Sequence, residues 1–201
     1  MKIVNLLVML FLIAATPAIA IASGETIALG PATISLDLEN IGSYTIEKES
    51  VISMDHEEKD IRFQYEITPA NIIIDDKLGQ IILEVHQMST AEPMDEPISE
   101  RDQSTGIEHC IQKSDMIHGS REMTMKEYEV DGHDGVLATI EIDSDDPLSA
   151  LGLIESNDPL YVLGWCLDQK DGEGSVVCVI GSDLPWETTK EIFDSISSDL
   201  A

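Results

Sequence analysis

The chain has 201 residues, room for one domain of ordinary size, and carries 39 acidic side chains against 11 basic ones, a formal net charge of −28. That balance excludes nucleic-acid binding, which needs a basic face, and electrostatic docking on anionic lipid. Hydrophobic residues make up 43% of the chain and speak against intrinsic disorder, while aromatics at 4% leave a core built mostly from Ile, Leu and Val.

The N-terminus reads as a secretory signal peptide over residues 1–22. Lys2 supplies a minimal positive start, Ile3 to Ala15 is apolar except for Asn5, and Pro17 breaks the helix ahead of two A-x-A pairs, Ala18-Ile19-Ala20 and Ala20-Ile21-Ala22. The apolar stretch is short for a bilayer span of about 20 residues. The expectation is a secreted or extracytoplasmic protein whose mature chain begins near Ile21 or Ser23. No second long apolar run follows, so no transmembrane segment is expected in the mature chain. The rest, 26–201, is expected to form a single α+β domain.

From Thr33 the chain alternates. Ile34, Leu36 and Leu38 stand against Ser35 and Asp37, a half-buried strand, and Asn40 to Ser43 reads as a turn. Tyr44 and Ile46 open a second strand. Met54 to Asp60 is polar and charged and reads as a loop. Ile61, Phe63, Tyr65 and Ile67 then alternate with Arg62, Gln64 and Glu66, and Pro69 is expected to end that strand. Ile72-Ile73-Ile74 and the stretch Ile81 to His86 give two more strands. Ser89 to Pro97 is a surface crossover, and Ile107, Cys110 and Ile111 sit at the spacing of a short amphipathic helix.

Lys126 to Asp143 is a hairpin in outline, with the turn placed in Asp131-Gly132-His133-Asp134-Gly135. Leu148, Leu151 and Ile154 suit a short helix. Tyr161 to Leu167 and Ser175 to Ile180 form a second hairpin. Both arms are nearly continuous apolar runs, the mark of central strands covered on both faces. Pro185 suits the first turn of a final helix reaching about Ser198, with Ile192, Phe193 and Ile196 on its apolar stripe. The fold expected is α+β, an antiparallel sheet with flanking helices, one of them C-terminal.

Three stretches of the C-terminal half carry a resemblance: Asp131 to Gly135, Val176-Val177-Cys178-Val179-Ile180, and Pro185-Trp186-Glu187 through Ile196. In the order of a glycine-rich turn, apolar strands and a closing helix, this half resembles small secreted proteins of methanogenic archaea. More distantly it is similar to the PsbP-like fold. The resemblance covers roughly the last 75 residues. It implies a binding or assembly scaffold with no catalytic or binding residue to carry over.

Catalytic motifs are absent from the sequence. The five histidines, His56, His86, His109, His118 and His133, form no recognised ligand spacing, and there is no G-x-S-x-G, P-loop or dinucleotide fingerprint. His109 and Cys110 are neighbours whose side chains would point apart on a helix. The candidate metal site is Asp143, Asp145 and Asp146, three hard oxygen ligands within four residues that would suit calcium, with Asp168, Asp171 and Glu173 as a second acidic turn. Acids are also ordinary turn residues, and neither stretch has EF-hand spacing. No other cofactor is implied. Trp165 and Trp186 read as packing residues.

Of the three cysteines, Cys166 and Cys178 lie on the two arms of the last hairpin. If Asp168 pairs across from Val176 they stand opposite one another and within disulfide reach, leaving Cys110 unbridged. A slip of one residue turns them to opposite faces and leaves two reduced core residues instead. The functional expectation is an exported, strongly acidic, non-catalytic domain that binds a protein partner or an envelope component. The alternatives are a secreted hydrolase with an unrecognised site and a calcium-dependent binding module.

Overall fold

A computed structural model describes residues 24–58, 61–74, 80–90, 123–141, 159–167 and 174–201. The expected signal peptide at 1–22, the helices expected around Cys110 and Leu151, and the acidic stretches Asp143–Asp146 and Asp168–Glu173 lie outside these residues. Among the described residues the architecture is α+β: two antiparallel sheets and one helix near the C-terminus.

The small sheet joins β1 (Glu25–Leu29), β2 (Ala32–Leu36) and β11 (Ser197–Leu200), with β2 in the middle. The large sheet holds β3 (Tyr44–Lys48), β4 (Ile52–Glu58), β5 (Ile61–Ile74), β6 (Gln80–Thr90), β7 (Met123–Val130), β8 (His133–Ile140), β9 (Leu160–Leu167) and β10 (Gly174–Ser182). Its order is β3-β5-β6-β10-β9-β8-β7. β4 lies beside β3 along the same edge of the long strand β5.

The pleat of β9 and β10 explains the burial. Leu163, Trp165 and Leu167 share one face with Val176, Cys178 and Ile180, while Val162 shares the other with Val177 and Val179, and all of these are buried. The first face joins Ile27, Leu29, Ile34 and Leu36 of the small sheet, and Ile192 and Phe193 of the helix α1 (Trp186–Asp194), in one core. The second carries a smaller cluster built on Ala138, Ile140, Leu160 and Val162. Side chains that alternate across a strand thus all find apolar neighbours, as the unbroken apolar runs of both arms require.

The hairpin β7–β8 closes through Asp131 and Gly132, with φ of 51° and 78°, and Val130 pairs with His133. Two consecutive positive φ angles make the turn that matches strand twist, and Asp-Gly accommodates them. His133, Asp134 and Gly135, expected in the turn, belong to β8. Gly135 is needed there for space: a Cβ would stand 2.8 Å from the Gly164 carbonyl oxygen and 3.0 Å from that of Tyr128.

Several expectations are corrected. Residues 54–58, expected in a loop reaching Asp60, belong to β4: residues 52–58 pair with Ile61–Ile67, and an edge strand accepts charged residues. Pro69 does not end β5. The Glu49 amide donates to the Pro69 carbonyl at 3.1 Å. The missing N–H therefore faces the same side, where the chain passes from β3 to β4 and the ladder is interrupted anyway. The strand β1 had no counterpart in the sequence reading.

The helix ends at Asp194, four residues earlier than expected. Ser195 Oγ donates to the Ile192 carbonyl at 2.7 Å and accepts from the Asp37 amide at 2.9 Å, a side-chain competition that stops the helix and ties it to the end of β2. Ile196 is buried just beyond the helix, and β11 then pairs with β2. Trp165 Nε1 donates to Ser198 Oγ at 2.9 Å, and the Ser198 amide donates to Asp131 Oδ2 at 2.8 Å, so β11 is bonded to both β9 and the hairpin turn.

Phe193 is 1% exposed in the core shared by the helix and both sheets. Phe193→Ala is expected to lower unfolding stability by about 3–5 kcal/mol, read by urea denaturation. A midpoint unchanged from wild type would mean that the helix is not docked through this face.

Candidate functional site

The second face of the large sheet carries a buried histidine, His86. Glu84 and His86 are two apart on β6 and so project to the same side. Tyr65 projects to that side from β5. His86 Nε2 lies 2.8 Å from Glu84 Oε2, and its Nδ1 is hydrogen-bonded to the Tyr65 hydroxyl. One neutral tautomer satisfies both contacts, with Nδ1 accepting from Tyr65 and Nε2–H donating to the carboxylate. His86 is 4% exposed and Glu84 24%. A hydroxyl, an imidazole and a carboxylate in that sequence are the parts of an acid–base relay, and they are also a way to satisfy a buried ring. The sequence reading did not connect these residues, because the Tyr65–His86 contact spans two strands. The i, i+2 spacing of Glu84 and His86 was the one available signal.

The relay borders an exposed apolar row. Met54 pairs with Tyr65 and Ile52 with Ile67, placing both on the relay's side of the sheet. Val51, Ile52 and Met54 are 52%, 49% and 44% exposed, and Ile73 of β5 is 39% exposed. The opposite side of β4 is polar. Ser53 and Asp55 lie there with Gln64 and Glu66 of β5, all exposed, and Ser53 Oγ donates to Glu66 Oε1 at 3.4 Å.

A second polar group surrounds α1. Tyr128 donates to Asp194, which is also paired with Lys190. Burial, followed by the Asp194 bond, pushes the Tyr128 hydroxyl well above its ordinary range. The Lys190 hydrogen bond, then that of Tyr128, holds Asp194 below the usual carboxylate range. Trp186 packs on Tyr161 with ring centroids 4.9 Å apart, and Lys126 Nζ stands 5.2 Å from the Trp186 ring centre. Trp165 is fully buried and Trp186 half-buried against the core, so both pack as the sequence implied. Near the end of β2, burial and then Glu25 push the Tyr44 hydroxyl up to about 12.

The expected Cys166–Cys178 disulfide is corrected. Cys178 pairs with Trp165 and Cys166 with Val177, one residue away from the register that would set the cysteines face to face. The two side chains therefore leave opposite faces, and both remain thiols. Cys178 is buried in the main core, where desolvation, followed by the charge of Cys166, pushes its thiol up to about 12. Cys166 is half-buried against the second cluster.

The calcium candidates Asp143, Asp145 and Asp146 lie outside the described residues. Among the described residues no three metal-ligating side chains converge, and no helix is long and apolar enough to cross a membrane. A shallow depression between α1 and the turn at Glu39–Ile41 is lined by Asp37, Asn40, Thr188 and Glu191. Asn40 donates to Glu191 across it at 3.3 Å, so its polar groups serve one another. No family model matches the chain, and no curated protein or solved structure matches it.

Two outcomes follow from the thiols and the charges. Alkylation of the native protein should label Cys166 well ahead of Cys178, and both should label fully in denaturant without reductant. A Cys166–Cys178 peptide in a non-reducing map would contradict the register. Because the Asp194 carboxyl is depressed in the folded chain, its stabilisation is present above the ordinary carboxylate range and is lost as the pH falls through its folded value. Asp194→Asn should therefore be less stable than wild type near neutrality, by no more than about 1 kcal/mol for so exposed a pair, and equal to it in acid. A deficit that grew on acidification would contradict the assignment.

Proposed function

We propose that the chain is an exported, strongly acidic, non-catalytic domain that binds a partner protein or an envelope component through the β4 edge of its large sheet. The observation that carries this reading is the exposed pair Ile52 and Met54 on one face of β4, with the exposed Val51 just before the strand. Isolated exposed apolar side chains are ordinary, but several close together mark an interaction surface. The signal-peptide pattern of residues 1–22 supports export to a secreted or extracytoplasmic site. The resemblance of the last 75 residues to small secreted proteins of methanogenic archaea, and to the PsbP-like fold, supports a binding scaffold over an enzyme. The net charge of −28 supports a partner that is neither nucleic acid nor an anionic surface.

A second reading, a secreted hydrolase, draws on the Tyr65–His86–Glu84 relay. In it His86 would take the Tyr65 proton and Glu84 would hold the imidazole in the correct tautomer. The binding reading instead gives the relay a structural task, tying β5 to β6 beneath the docking row.

A photo-crosslinking residue in place of Met54 is expected to give one discrete adduct in native envelope or secreted fractions. The same residue in place of the exposed Glu187 on α1 should give none. No adduct at either position would overturn the binding reading. A hydrolytic activity of the purified chain that Tyr65→Phe abolishes without change in thermal midpoint would put the second reading in its place.

A further inference from the structure

We propose that β4 receives an extended segment of the partner as an added strand, and that this segment alternates apolar and basic side chains. The inference rests on the binding reading above and specifies its geometry and chemistry. Among the described residues β4 pairs only with β5, and no described strand takes up the backbone donors and acceptors of its other edge, up to seven residues long. A strand of that length spans about 23 Å, enough to register a short peptide.

The two faces of that edge differ in kind. On one, Ile52 and Met54 continue onto the half-buried Ile67 and Tyr65. On the other, Ser53 and Asp55 lie beside Gln64 and Glu66, which places the carboxylates of Asp55 and Glu66 together on an exposed surface. An added strand repeats this division through its own period of two. Its side chains over Ile52 and Met54 must be apolar to gain from burial. Those on the other face meet carboxylates and are favoured when basic.

The same charges decide against a second copy of this chain. An antiparallel pairing of two β4 strands centred on Asp55 sets that carboxylate opposite its twin on the same face. Two chains of formal charge −28 also repel at longer range. The acidic side of β4 thus guards the edge against self-association while admitting a basic strand.

The test uses the full chain and an acetylated octapeptide of alternating Val and Lys, with binding read by calorimetry. The peptide is expected to bind, to weaken about tenfold or more when sodium chloride is raised from about 50 to about 500 mM, and to lose its affinity for Asp55→Lys protein whose thermal midpoint is retained. A peptide with Glu in place of Lys should not bind. Two further peptides carry N-methyl groups on alternate residues, one series for each edge, and one of the two should fail because its bonding edge is blocked. Equal binding by both N-methylated peptides would overturn strand addition. If no peptide binds although the Met54 crosslink forms, strand addition fails and the docking reading stands. If the crosslink is also absent, both fail. A salt-resistant dimer of the chain, broken by Met54→Lys, would replace the basic segment with a second copy.

Discussion

The register between β9 and β10 is the constraint on which the rest of the molecule depends. Setting Cys178 opposite Trp165 turns both toward the small sheet and the helix, and turns Cys166 and Val177 the other way. The indole then reaches Ser198, whose amide is held by Asp131 of the neighbouring hairpin. A slip of one residue would send Trp165 to the opposite face, break this chain of bonds and leave the core under the small sheet without its largest side chain. Close approach of Gly135 to Gly164 and Tyr128 extends the same fixed geometry into β8, where any side chain would force the strands apart.

Burial falls away from that centre toward the β4 side of the large sheet. β10 and β9 are apolar on both faces, β6 replaces apolar residues with Glu84 and His86 on one face, and β4 leaves Ile52 and Met54 in water. Tyr65 and His86 stand at the transition. Their contact, with Glu84 behind it, lets polar groups occupy a face that is apolar a strand away without leaving the ring unsatisfied. Binding at the β4 edge is therefore compatible with a rigid scaffold, since the groups exposed for it contribute little to the core.

Elements whose residues agree with their surroundings were legible in the sequence. The Asp131-Gly132 turn, the apolar arms of the last hairpin and the stripe on α1 each follow from local chemistry that the packing reinforces. Those missed are set by distant partners. Residues 54–58 look like part of a loop because Asp55, Glu57 and Glu58 are poor strand formers, and only the long neighbour β5 makes them a strand. Ser197 to Leu200 has weak strand character and pairs because Ser195 has stopped the helix and β2 lies open beside it. Pro69 breaks a strand in general and is harmless here because its missing donor faces a gap between two partners. The relay and the thiol placement turn on pairing register, which alternation along one strand does not reveal.

Amide hydrogen exchange, resolved strand by strand, tests most directly whether β4 is an open edge on a closed scaffold. The amides of β9 and β10 should exchange only through global unfolding, while alternate amides of β4, those turned away from β5, should exchange orders of magnitude faster. Protection of every β4 amide to the level of β10 would contradict the account, because the edge offered to a partner strand would already be occupied.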